Sequence, residues 1–309
     1  MITSVFKKYT PINFIFVVIL LLGFFLIFQF QDLAWTNSVL LILKKTGIFF
    51  LLLGSVFLTD FIEKKNGMNK NSVYSMFFFF LLILFFPSVL SHTKLIISNL
   101  FVLLALRRLV SLHSQKASKE KIFDASLWIF FASLFYFWSI LFIILVFISI
   151  IFHVSRDYRN WVLPFIAFFV TVIIAIFLSM IVNDNAFGLL NKNQFINFNI
   201  DYFTNKYQNV AFSIYTTIAL FFVVSMFISM SNRPQVLHSS FKKIIGFFFI
   251  GVLIFVISSN KSNDLLLFTM APLSIMATSH IEIKQRQFKQ ELVLFVLIVC
   301  SMFSFFSQL

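Results

Sequence analysis

Ten stretches of nearly unbroken apolar sequence lie near 12–31, 46–62, 73–91, 95–112, 124–153, 161–182, 208–230, 244–258, 265–280 and 290–308, separated by short polar segments. Most are close to the ~20 residues that one helix needs to cross the hydrocarbon. The pattern predicts an all-α chain, a polytopic transmembrane bundle forming one integral-membrane domain over residues 1–309. One stretch fits poorly. Ile122 to His153 is 32 residues of mostly Phe, Ile and Leu, too long for one crossing and short for two ordinary ones.

Charge decides how that stretch is threaded. Read as ten crossings with the N-terminus inside, Lys and Arg divide 13 inside to 11 outside, which is no bias. If 124–153 instead enters and returns as a short hairpin turning near Tyr136–Ser139, only Lys44, Lys45, Lys94, Lys192, Lys206 and Lys261 stay outside. The split becomes 18 to 6, as the positive-inside rule requires. The sequence therefore predicts about eleven membrane segments, with a cytoplasmic N-terminus and an external C-terminus. Such short helices leave a turn at membrane depth, which is tolerated where protein or water surrounds it, so Tyr136 and Trp138 are expected inside the bundle.

Composition agrees with lipid as the solvent: 60% of residues are hydrophobic and 11% charged. Lys7 and Lys8 precede Pro11, but the apolar run continues to Phe30 without a cleavage site, so it reads as the first permanent helix. Pro11 and Pro164 stand at or before segment starts, where a missing N–H costs nothing. The 49 phenylalanines read as lipid-facing residues rather than a cofactor cage. The +13 net charge reads as cytoplasmic helix ends and attraction to anionic lipid, not nucleic acid. Cys300 is the one cysteine and has no disulfide partner in the chain. The expected location is a bacterial inner membrane, within the cell envelope.

No phosphate-binding loop, dinucleotide fingerprint or H-E-x-x-H motif is present, and no nucleophile elbow. His92, His113, His153, His238 and His280 are scattered at expected helix ends, which suits interfacial histidines better than a metal site. No cofactor is called for. Gly246 and Gly251 are five apart, so the G-x-x-x-G pairing face is missing. Among the acids, Glu63, Glu120, Glu282 and Glu291 fall at expected cytoplasmic ends, whereas Asp32, Asp184, Asp201 and Asp264 fall outside. An external carboxylate can act as a general base toward a hydroxyl; it can equally cap a helix or sit solvated in a loop. The polar segments expected outside are Gln29–Lys45 and Asn183–Gln208, the second forming an interfacial helix plus coil.

The most distinctive stretch is Ser258–Ala277, SSNKSNDLLLFTMAPLSIMA. A serine-rich helix end leads to a polar turn with Lys261 and Asp264, then to an apolar helix that Pro272 is expected to interrupt. In Leu100–Phe169 an Arg pair, Arg107 and Arg108, ends a helix; a basic loop, a short hairpin and an Arg-containing turn follow. These stretches resemble the C-type fold of integral-membrane glycosyltransferases that use polyprenyl-phosphate sugars. The whole chain also resembles a family of Phe-rich bacterial multi-pass proteins without an assigned activity.

The resemblance to the transferases implies an external catalytic acid after the first helix, a place held here by Asp32. Lys261 and Asp264 would lie near the lipid phosphate, with His92 and Lys94 as further substrate-binding residues. The partners it implies are membrane lipid and a polyprenyl-phosphate donor. Two other readings stand beside it: a scaffold without catalysis, serving as a membrane subunit of an envelope assembly with membrane-protein partners, and a transporter or permease. Sparse charge at helix centres speaks against the last.

Overall fold

The computed structural model describes residues 6–70, 72–182, 196, 198, 205–283 and 287–309. Within them the chain forms eleven α-helices and no strand. They are α1 (Pro11–Gln29), α2 (Val39–Lys65), α3 (Tyr74–Ile83), α4 (Thr93–Val110), α5 (Ser118–Phe135), α6 (Ile143–His153), α7 (Arg159–Val182), α8 (Lys206–Met230), α9 (Gln235–Ile257), α10 (Leu267–Glu282) and α11 (Gln287–Ser307).

Eight of the helical spans are long and apolar enough to cross a membrane. They mark a multi-pass membrane protein. The three helices that fall short of that standard are instructive. α3 has 10 residues and α6 has 11. α5 has 18, but Lys119, Glu120, Lys121 and Asp124 occupy its first turns.

Burial sorts the helices into a centre and a rim. α3 is buried at every position, including Phe77–Phe80, and α10 is buried at nearly every one. A helix apolar all round belongs inside, and these two pack against each other at the centre. α1, α7 and α11 lie outside, with only 22%, 17% and 28% of their apolar windows buried. Their outer Phe and Ile residues, such as Phe169 and Ile181, are what a lipid-facing surface needs.

The expected break in the long apolar run is present. α5 stops at Phe135, Tyr136 is extended (φ −142°, ψ 108°), and a 3₁₀ turn over Phe137–Phe142 leads into α6. Gln115 Nε2 donates to the His153 carbonyl at 3.3 Å, and Lys119 pairs with Asp157 at 3.1 Å. The end of α6 thus returns beside the start of α5. Tyr136 shares a 2.8 Å hydrogen bond with Ser258 and its ring lies 5.9 Å from Phe268, so the turn packs on α9 and α10 inside the bundle.

Other boundaries differ from the sequence reading. Gln29–Lys45 is not an extended polar segment. α2 begins at Val39, because Val39–Leu43 continues the helix outward and carries Lys44 and Lys45 on it. The stretch 73–91 is not one helix either. Phe86, ahead of Pro87, turns out of the helical region (φ −135°, ψ 79°), and a separate 3₁₀ turn follows. Pro164 lies inside α7, which starts five residues earlier. Pro272 does not interrupt its helix: α10 runs through it, its buried flanks held by packing on α3, α8 and α9. Pro11 does stand in the first turn of α1. Most of Asn183–Gln208, with Asp184, Lys192 and Asp201, lies outside the described residues, as do Lys284 and Arg286.

Candidate functional site

Two hydrogen-bonded groups of polar side chains lie at the two ends of the bundle. At one end, Asp264 opens a 3₁₀ turn (Asn263–Leu266) ahead of α10 and is only 4% exposed. Ser88, from the turn after α3, donates a short hydrogen bond to its Oδ1. His92 Nε2 lies 3.1 Å from Oδ2. Pro87 sets this up: it ends the helix and bends the chain so that Ser88 and His92 face one carboxylate. A hydrogen bond from Nε2 to Asp264 fixes the imidazole and leaves Nδ1 as its acceptor. That is the arrangement of a base oriented by a carboxylate.

The α1–α2 turn reaches the same end. Gln29 Nε2 donates to the Leu90 carbonyl at 3.4 Å, and Trp35 Nε1 donates to the Gln29 carbonyl at 3.0 Å. The C-terminus closes the ring: Gln31 donates to the Leu309 carbonyl and Gln308 to that of Phe85. Asn263, buried, donates to the Gln208 carbonyl at 3.1 Å, bringing in the start of α8.

The five residues singled out from sequence therefore sit on three segments of one end. Asp264 and His92 are in direct contact. Lys94 is exposed in the first turn of α4, and Lys261 is half-buried in the turn between α9 and α10. Asp32 is exposed in the α1–α2 turn, within electrostatic reach of Lys45.

The opposite end holds a polar network that sequence reasoning missed. Glu63, 1% exposed near the end of α2, accepts from Asn69 Nδ2 at 2.7 Å. Glu282 at the end of α10 accepts from the Lys70 backbone N–H and the Ser72 hydroxyl, both at 2.6 Å. Arg233, between α8 and α9, donates to Ser279 Oγ at 2.6 Å and to the carbonyls of Ser279 and Met68. Burial pulls the Arg233 guanidinium below its ordinary value, against the opposing pull of Glu282 and Glu63; an arginine stays charged there. Gly67 makes the turn after α2 possible by adopting a left-handed φ of 59°. In sequence these groups look like solvated loop residues, and the one signal was the N-G turn following Glu63.

A polar cavity of about 400 Å³ opens in this network between Asn69, Lys70, Asn232, Arg233 and Glu282. Among the described residues no cluster of three or more His, Cys, Asp or Glu side chains could hold a metal. Other contacts tie this end together: the Arg107 guanidinium lies 4.7 Å from the Phe61 ring, and the buried Lys243 Nζ donates to the Leu109 carbonyl at 2.6 Å. A lysine there suits the negative end of a helix dipole.

A family model described as "Family of unknown function (DUF6427)" matches residues 5–309, so the chain belongs to that family. No curated protein and no solved structure matches it.

Proposed function

We propose that this member of the DUF6427 family is a glycosyltransferase-like integral-membrane protein that acts on a polyprenyl-phosphate-linked substrate at the end carrying Asp264. The observation that supports this best is the contact of His92 and Ser88 with the buried Asp264. Two segments far apart in sequence meet there, and the turn carrying Asp32 is tied to the same end by the Gln29–Leu90 hydrogen bond. Asp32, at the same end of the bundle as the His92–Asp264 pair, serves to deprotonate an acceptor hydroxyl. The hydroxyl oxygen bonds to the sugar's anomeric carbon, the bond from that carbon to the phosphate oxygen breaks, and the lipid phosphate leaves. Lys261 and Lys94 hold that phosphate as point charges.

The threading that goes with this reading has eleven passes, with α3 and its following turn, α5 and α6 as short segments. The N-terminus lies in the cytoplasm of a bacterial inner membrane, and the Asp264 end faces outward. Contacts at the two ends favour it. The turns after α1, α3, α5 and α9 meet at one end, while those after α2, α8 and α10 meet at the other. The centre of the bundle is filled by the close-packed Phe77–Phe80 of α3, which speaks against a transporter.

A photoreactive short-chain polyprenyl phosphate tests the reading. Crosslinks should map to residues 88–94 and 258–264. Crosslinks spread over the outer faces of α1, α7 and α11 would contradict it.

A further inference from the structure

The polar cavity at the Glu282 end is one half of a larger feature. It shares Ser229, Asn232 and Ile283 with an apolar groove of about 520 Å³ between α8 and the end of α10. The groove is walled by Leu220, Phe221, Val224 and Ile228, which α8 presents on its exposed side. Of its polar members, Ser225 and His280 hydrogen-bond to each other, Ser229 donates to the Met226 carbonyl, and Asn232 sits at the join with the polar cavity. From Leu220 to Met230, where α8 ends, the helix rises ~15 Å, about the depth of one leaflet's hydrocarbon.

We propose that this joined cavity binds one aminophospholipid, its headgroup between Glu282 and Arg233 and one acyl chain along α8. The charges select the headgroup. Lys70 and Arg233 line the cavity beside Glu282, with Glu63 just behind Asn69. A headgroup carrying only negative charge leaves Glu282 without a counter-charge, and one carrying only positive charge meets Arg233 and Lys70. A phosphate with a tethered ammonium offsets both signs, the phosphate toward Arg233 and Lys70 and the ammonium toward Glu282. The groove begins where the cavity ends, at the depth where a lipid's glycerol joins its chains. The site lies at the end opposite Asp264 and does not depend on the transferase reading.

Native mass spectrometry of the full chain, released from vesicles of mixed phosphatidylethanolamine and phosphatidylglycerol, tests the proposal. The wild-type chain should retain one phosphatidylethanolamine in preference to phosphatidylglycerol. Val224→Trp fills the groove at an exposed position and leaves every hydrogen bond of the network intact; it should lower retention by about tenfold or more. Glu282→Gln should let phosphatidylglycerol compete. Equal retention of both lipids by the wild type, retention of neither, or unchanged retention by Val224→Trp overturns the site. Because Glu282 also accepts from Lys70 and Ser72, Val224→Trp decides if Glu282→Gln fails to fold.

Discussion

His92 and Asp264 lie 3.1 Å apart, although more than half the chain separates them. The contact joins the turn after α3 to the turn before α10, the two helices at the centre of the bundle. It is thus held from beneath by the most buried packing in the molecule, while the imidazole itself stays half exposed.

The threading makes the first prediction. With Cys300 replaced by Ser, single cysteines at the exposed positions Asn37 and Gln235 should differ in their reaction with a membrane-impermeant thiol reagent on intact cells. Asn37→Cys should label and Gln235→Cys should not. The reverse pattern would invert the orientation, and equal labelling would break the threading.

Close packing between α9 and α10 makes the second. A Cβ on Gly251 would sit 2.8 Å from Thr269 Cγ2 and 3.3 Å from the Phe268 backbone. Gly251→Ala should destabilise the fold by about 1–3 kcal/mol. Gly47→Ala in α2, where nothing lies within 4 Å, should instead be neutral or gain up to about 1 kcal/mol. Thermal unfolding of the two variants in one detergent compares them directly.

The hairpin makes the third. Tyr136→Phe removes the hydrogen bond to Ser258, and a double-mutant cycle with Ser258→Ala should return a coupling of about 0.5–1.5 kcal/mol. A coupling near zero would mean that the hairpin turn does not dock on the end of α9.

A fourth concerns pH at the other end of the hairpin. A hydrogen bond from the Arg159 backbone N–H, reinforced by Lys119, holds the Asp157 carboxyl below its ordinary value. A carboxylate depressed in the fold stabilises above its unfolded pKa, and that stabilisation fades as pH falls through the folded pKa. The clasp between α5 and α7 should therefore loosen only below the usual carboxylate range. Hydrogen exchange over residues 154–160 should rise there in the wild type and lose that step in Asp157→Asn.

The sequence carried the hairpin because two independent signals met on it: an apolar run of awkward length and a charge split that only a return could explain. It carried the gathering of Asp264 and His92 less directly, since both stood at helix ends assigned to one side of the membrane. The network of Glu63, Asn69, Arg233 and Glu282 was hidden for a physical reason. Each residue alone reads as a solvated cytoplasmic group, and its burial arises only when the ends of α2, α8 and α10 converge. Local pattern also misjudged Pro272, because a helix buried on all sides is held by its neighbours and not by its own propensity.

Transfer activity is the most direct test of the account. Asp32→Asn should leave expression and unfolding unchanged, since an exposed carboxylate contributes little to stability. In reconstituted vesicles supplied with a polyprenyl-phosphate sugar and acceptor, it should lower transfer by about 100-fold or more. Wild-type levels of product from Asp32→Asn would contradict a catalytic role for that end of the bundle and favour a non-catalytic subunit.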